Sequence, residues 1–368
     1  MTPYERIVLE VTEACHHACL HCYNYWREDR APVLAPDTLS RAEIRDLIRR
    51  IRCDAPLKQA GLSGGEPLLR KDLPEIVEDL RNEGLGVVVI TNGTLLTPAR
   101  ARRFPEGTVF EMTLFSADAA LHDRIAGVAG AFRRVLAGAV AAVTNHCRLA
   151  VSVVVNRLNA HDVRRALELG IALGSDAFLL NRVNFSRCTA GQGDLLAPSV
   201  EQLRQALEAA ESVAAEYDAM VAVSVPMPPC VVDPTPYEHL HFGWCPRGNS
   251  EAYYTVSHNG LLRPCNHSSR ILGDLRKQSF AELTRGRAAR AFWAPVPPEC
   301  RTCSHPLAGL CRGGCPAASD ECYGTRKRWD PLVEIVKGAV PAAGCARFEV
   351  RGVHEGTTRS PEAQVAHR

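Results

Sequence analysis

Apolar and polar positions in the first two-thirds of the chain follow two alternating periods. Residues 7–11, 87–90, 109–115, 149–155 and 177–183 are short, mostly apolar runs that read as buried strands. Residues 59–63 form a further short strand running into a glycine turn. Between them lie segments of helical spacing. Residues 39–52 place Ile44, Leu47, Ile48 and Ile51 on one face, and 73–83 end at Gly84, a suitable C-cap. Further helices are predicted over 131–145, 160–173 and 199–217. Strand–helix repeats with apolar strands predict a parallel sheet covered by helices. Six units predict an α/β fold, a partial (β/α)6 TIM-like barrel or a complete one. Chemistry in such folds sits at the C-terminal strand ends. Here those ends carry Ser63-Gly64-Gly65-Glu66, Thr91-Asn92-Gly93, Ser116-Ala117-Asp118, Asn156 and Asn181-Arg182, nearly all polar or glycine.

The texture changes from about residue 224. Pro226, Pro228, Pro229, Pro234 and Pro236 form a linker-like stretch that leads into a cysteine-rich region. The expected division is a barrel over 1–225, a small cysteine-rich domain over 226–350, and a polar tail over 351–368 that is predicted to be disordered.

Charge adds little. The 43 basic and 41 acidic side chains nearly cancel, so neither nucleic acid nor a membrane surface is expected as a partner. No run reaches the roughly 18–20 apolar residues of a membrane span, and residues 1–10 lack a signal-peptide apolar region. A cytoplasmic location is expected. The 15 cysteines change the picture, because thiols in a reducing compartment point to metal or redox chemistry. Three fall between Cys15 and Cys22 and eight between Cys245 and Cys345. Cys53, Cys147 and Cys188 look isolated, and Cys230 lies in the proline-rich stretch.

Cys15, Cys19 and Cys22 form a C-x3-C-x2-C run directly after the first strand. Three thiolates on one loop can hold three corners of a cubane cluster and leave the fourth iron open. A zinc site completed by His16, His17 or His21 is the other reading of the same residues. The run resembles the radical S-adenosylmethionine (SAM) superfamily, whose signature is C-x3-C-x-aromatic-C. His21 stands at the usual aromatic position, and Tyr23 follows. The resemblance extends to Ser63-Gly64-Gly65-Glu66-Pro67, similar to the family's Gly-Gly-Glu-Pro segment. It also takes in Thr91, Asn92, Ser116 and Asn156 at later strand ends. It implies a [4Fe–4S] cluster on the three cysteines, with the open iron binding SAM. Residues 21, 23, 63–67, 91, 92, 116 and 156 would then line the SAM pocket. Reductive cleavage of SAM would give a 5′-deoxyadenosyl radical that abstracts hydrogen from a substrate C–H bond.

The second group comprises Cys245, Gly260-x4-Cys265, Cys300-x2-Cys303-x7-Cys311-x3-Cys315, Cys322 and Cys345. Eight thiols exceed one metal site, and two four-ligand sites are the economical count. Paired zinc ribbons remain an alternative. The pattern resembles the SPASM extension of radical SAM enzymes, with an insertion over residues 304–310. That resemblance implies one or two auxiliary iron–sulfur clusters. The first would use Cys245, Cys265 and Cys315, with Cys230 or an open site as the fourth position. The second would use Cys300, Cys303 and Cys311, with Cys322 preferred over Cys345 to complete it.

Members of this group modify ribosomally made peptides or oxidise, dehydrate or epimerise small sugars and cyclitols. The expected function is therefore an oxidoreductase acting on a peptide, with a sugar, cyclitol or other natural-product intermediate as the alternative. An external flavodoxin- or ferredoxin-type donor would supply electrons. The first cysteine motif begins at residue 15, so no N-terminal leader-binding domain is expected, and a separate carrier could present the peptide. Asp118 and Arg182 are the expected catalytic residues, with His122, Tyr237, His239 and His241 as further acid/base candidates.

Overall fold

A computed structural model describes residues 4–24, 34–186, 189, 192–248 and 251–336. Cys188, Cys345 and the tail expected over 351–368 lie outside the described residues. Six parallel strands follow the chain in order: β1 (Arg6–Thr12), β2 (Gln59–Gly64), β3 (Gly86–Thr91), β4 (Val109–Thr113), β5 (Arg148–Val155) and β6 (Ala177–Arg182). Two more, β7 (Met220–Val223) and β8 (Leu240–Phe242), continue the parallel sheet beyond β6. On the other side β9 (Tyr254–Val256) pairs in parallel with β1, and β10 (Leu261–Arg263) and β11 (Gly273–Asp274) follow antiparallel. Segments after residue 225 thus extend both sides of one 11-stranded sheet.

The strand alternation separates two faces. Ile7, Leu9, Leu62, Val89, Phe110, Met112, Val151 and Leu180 are buried in the main core together with Ile44, Leu47, Ile48 and Ile51 of the helix Arg41–Asp54. Each fully buried aliphatic side chain contributes roughly 1.5–3 kcal/mol. The opposite face carries Val8, Gly61, Val88, Ile90, Glu111, Thr113, Leu179 and Asn181, all only half-buried. A period of two sends these residues to the concave side of the curved sheet, the lumen of a partial barrel.

The helices begin where the sequence supplies caps. Ser40 and Glu43 make a reciprocal capping box at Arg41–Asp54, and Ser199 with Gln202 does the same for Val200–Tyr217. One helix, Ala119–Ala126, was not expected. It is short and stops at Gly127, so its apolar period is too brief to read from sequence. No strand was expected over Met220–Val223, yet it is the strand β7, because its alternate residues Val221 and Val223 reach the core.

Candidate metal centres

The loop carrying Cys15, Cys19 and Cys22 is fastened over the C-terminal ends of β2, β3 and β4. Gly65 N–H donates to Thr12 O (2.8 Å) and Glu66 N–H to Ala14 O (2.7 Å). A Cβ on Gly65 would lie 2.1 Å from Ala14 O and 2.5 Å from Glu13 O, and one on Gly64 would lie 2.1 Å from Thr12 O. Only glycine lets the two backbones approach this closely. The glycine pair therefore seats the cysteine loop. On the loop's other side Ala18 N–H donates to Ala126 O and Leu20 N–H to Ile125 O, at the end of the helix Ala119–Ala126. His16 Nε2 and His17 Nε2 lie 2.9 and 3.3 Å from Thr94 Oγ1. The His21 ring stands edge-on to Phe115. Asn24 Nδ2 donates to Gly64 O (2.7 Å).

The predicted strand-end residues come together around this loop, several of them as struts. Glu66 is fully buried. It accepts hydrogen bonds from Thr91 Oγ1 (2.5 Å), Asn92 N (2.8 Å) and Leu68 N (2.9 Å), with Pro67 opening the turn that follows. Burial raises its carboxyl pKa, and the three donors oppose that shift. The Glu66 carboxylate thus joins β2 to β3. Asn92 Oδ1 accepts from Thr94, which in turn meets the two histidines. Ser63 is buried at the end of β2. Ser116 Oγ donates to Asp162, which also accepts from Ala117 N (2.8 Å). Asn156 accepts from Leu158 N–H, and Asn159 Nδ2 donates to Phe115 O (2.8 Å).

Both expected catalytic residues make structural contacts. The Asp118 carboxylate is the N-cap of the helix Ala119–Ala126, accepting from Leu121 N (2.8 Å), and it is exposed. Arg182 is enclosed. It ion-pairs with Asp330 and donates to Pro226 O (3.0 Å) and Val183 O (3.1 Å), with both charged side chains fully buried. The His122 ring packs beside Phe115 and Phe132, and its Nδ1 accepts from Phe115 N–H. Burial pushes its pKa down to about 4, so it is a neutral core group. His239 pairs with Glu211, Tyr237 packs beside Phe242, and His241 is exposed on β8.

Two carboxyls that were not singled out stand on the lumen face. Glu10 on β1 ion-pairs with Arg263 on β10, both inaccessible to solvent. Burial raises its pKa, and the guanidinium pulls it back. Glu111 on β4 is half-buried, and burial pushes its pKa up to about 7. The available signal was a charged residue inside an otherwise apolar strand run, at the position opposite to the core face.

The C-terminal cysteines fall into two groups. Cys245, Cys265 and Cys315 line one cavity of about 540 Å³, with Tyr253 and His267. Burial raises all three thiols, Cys245 to about 12, and each also feels the charge of its neighbours. Cys315 begins the helix Pro316–Tyr323, where Ala318 N–H and Asn184 Nδ2 donate to its Sγ. Cys300, Cys303 and Cys311 line a second cavity of about 270 Å³. Arg312, Gly313 and Gly314 all have positive φ. That tight loop sends Cys311 and Cys315 into different cavities. Buried Arg247 lies beside it, bonded to Arg312 O and Pro295 O.

Two expected ligands stand elsewhere. Cys230 lines the second cavity, not the first. Cys322 is buried in an apolar cluster with Val183, Phe185 and Leu196, because it faces the barrel from the helix that Cys315 caps.

These donors fit iron–sulfur centres. Among the described residues the cysteines are not joined as disulfides, and amide donors point at Cys15 Sγ and Cys315 Sγ, contacts of the kind that tune cluster sulfurs. Of the three histidines considered for a zinc site, His16 and His17 direct Nε2 at Thr94, and the His21 ring stands edge-on to Phe115.

The family model of the radical SAM superfamily matches residues 9–170, and that of SPASM, an iron–sulfur cluster-binding domain, matches residues 245–304. The chain is 27% identical over 341 residues to the PqqA peptide cyclase of Xanthomonas euvesicatoria pv. vesicatoria (strain 85-10), covering 89% of this chain and 87% of that protein. It is 26% identical over 375 residues to the PqqA peptide cyclase of Xanthomonas axonopodis pv. citri (strain 306), covering 98% and 94%. Among solved structures, Streptococcus suis SuiB bound to S-adenosylmethionine superposes with a TM-score of 0.68 at 13% identity, covering 89% of this chain and 76% of SuiB. Native anSMEcpe with bound AdoMet gives a TM-score of 0.70 at 15% identity, covering 90% and 95%. At these identities the structural likenesses establish the fold.

Proposed function

The chain belongs to the radical SAM superfamily and carries a SPASM domain, and on that premise we propose that it oxidatively modifies a ribosomally made peptide. The observation that carries the peptide reading is the correspondence with PqqA peptide cyclases, which runs through nearly the whole of both chains. When bound, the clusters and SAM supply a 5′-deoxyadenosyl radical for hydrogen abstraction and an acceptor for the electron left on the substrate.

The chain's own residues divide the remaining work. Cys15, Cys19 and Cys22 would hold the SAM-binding cluster, and Cys245, Cys265 and Cys315 an auxiliary one. Gly64 and Gly65 seat the first loop, while Glu66 fixes the backbone amide of Asn92 beside it. The lumen face, with Glu111, Thr113 and Asn181, would receive the peptide segment. Glu111, its pKa near neutrality, is suited to accept the proton released as the substrate is oxidised. A flavodoxin- or ferredoxin-type protein would supply the reducing electron, a separate carrier could deliver the peptide, and the enzyme would act in the cytoplasm. Among the described residues no single helix is long and apolar enough to cross a membrane.

The test is anaerobic incubation of cluster-reconstituted protein with SAM, dithionite and candidate precursor peptides or cyclitols. The reading expects 5′-deoxyadenosine together with a peptide two hydrogens lighter, and deuterium transfer from one labelled carbon. Turnover of a cyclitol with every peptide untouched would overturn it.

A further inference from the structure

The turn at Pro228, Pro229 and Cys230 links two parts of the fold that the sequence separates widely. Val231 N–H and Val232 N–H both donate to Pro228 O, and the side chains of Val231 and Val232 are buried in the main core. The turn is therefore anchored, and Cys230 stands exposed at its tip. Pro228 lies against the Gly313–Gly314 loop: a Cβ on Gly314 would come 3.1 Å from Pro228 Cγ. This contact brings Cys230 into the wall of the cavity of about 270 Å³ that Cys300, Cys303 and Cys311 also line. Cys230 and Cys300 stand in the same cavity wall, close enough to interact electrostatically. Trp329, in the same wall, donates to the Cys300 sulfur.

We propose that Cys230 is the fourth thiolate of the second auxiliary centre, with Cys300, Cys303 and Cys311. The ligand set is then completed from the proline-rich turn upstream of the SPASM domain and not from the chain after Cys315. Four soft donors lining one cavity suit an iron–sulfur cluster, and each thiol would release its proton as it ligates. Cys322 is placed in the apolar cluster beside Val183 and Phe185. His305 lines the same cavity, but its Nδ1 accepts from Leu307 N–H and a thiolate is the softer ligand.

The inference rests on the reading that this domain holds clusters, and one series separates the two. Full-length protein and its Cys303→Ala, Cys230→Ala, Cys230→Ser, Cys322→Ala, Cys345→Ala and His305→Ala variants are reconstituted anaerobically. Each is assayed for iron, acid-labile sulfide and the low-temperature EPR spectrum after reduction, with circular dichroism to verify folding. The expected result is that Cys230→Ala loses the same iron, sulfide and EPR component as Cys303→Ala. Cys230→Ser, which keeps the shape of the turn, shifts or loses that component, and the other three variants retain it. Retention of the component in both Cys230 variants, with its loss in Cys345→Ala or His305→Ala, would overturn the assignment. If Cys303→Ala leaves iron and sulfide unchanged, the cluster reading of the domain itself fails.

Discussion

The Tyr23 ring stands edge-on to the His267 imidazole, with 4.5 Å between centroids, and its hydroxyl accepts a hydrogen bond from Asn266 Nδ2 at 3.0 Å. Tyr23 follows Cys22, and Asn266 and His267 follow Cys265. The contact therefore joins the loop of the first cysteine group to a ligand segment of the second. Burial pushes the Tyr23 phenol far above its ordinary range and holds His267 down at about 3, so both rings are neutral at working pH. Tyr23→Phe removes the hydrogen bond and keeps the ring. It is expected to cost about 1 kcal/mol, seen as a small fall in the anaerobic melting midpoint with iron content unchanged. Tyr23→Ala, which removes both contacts, is expected to slow SAM cleavage. Equal SAM cleavage in Tyr23→Ala and the parent would refute the link.

Gly65 has no room for a side chain, since a Cβ would meet Ala14 O at 2.1 Å. Gly65→Ala must displace the cysteine loop, so iron bound at Cys15, Cys19 and Cys22 and the SAM cleavage it supports should both fall to background. Gly86→Ala is the control, because the nearest atom to its Cβ is 3.6 Å away. Iron analysis and 5′-deoxyadenosine assays distinguish them.

Glu66 is acceptor to three donors in a buried site. Glu66→Gln replaces one acceptor oxygen with an NH2 group that faces a donor, leaving a buried group unsatisfied at about 1–3 kcal/mol. The expected outcome is a lower melting midpoint and weaker SAM binding, measured by equilibrium dialysis, because the Asn92 backbone loses its anchor.

Glu111 gives a pH signature. Its folded pKa of about 7 exceeds the ordinary 4.5, so the folded state binds the proton more tightly. Its contribution is fully present below pH 4.5 and is lost as pH rises through about 7. The penalty above that window is at most about 3 kcal/mol before solvent screening. Glu111→Gln should therefore match the parent in anaerobic melts near pH 5 and exceed it near pH 8.5. In turnover, the same variant should lose peptide product while still cleaving SAM.

Arg182 and Asp330 form a buried ion pair, and Asp330 also accepts from Cys315 N–H at 2.9 Å. Arg182→Met leaves that carboxylate buried and unpaired, at a cost of about 3–5 kcal/mol. Adding Asp330→Asn should recover much of the loss. A double variant less stable than Arg182→Met alone, in urea denaturation, would count against the pair.

The strand–helix alternation, the parallel order of β1 to β6 and the cysteine triplet with its glycine partner segment are legible in the sequence. These are local features: side-chain period and covalent spacing encode them without reference to distant residues. The sequence also marked Ser63, Gly64, Gly65, Glu66, Thr91 and Asn92 as belonging near one strand-end site, because topology assembles strand ends. What those groups do there depends on how the chain folds around them. Glu66 became a strut because two strand ends closed around it, and Gly65 seats the cysteine loop because that loop folds back across β2. Burial turned Arg182 and Cys322 inward, and exposed Asp118 serves as a helix cap. Glu111 gained its raised pKa from burial within the fold, and the partition of thiols between two cavities follows from the left-handed turn at residues 312–314 and the anchored turn at Cys230. Each of these outcomes depends on contacts between residues far apart in the chain, and neither pattern nor spacing carries that information.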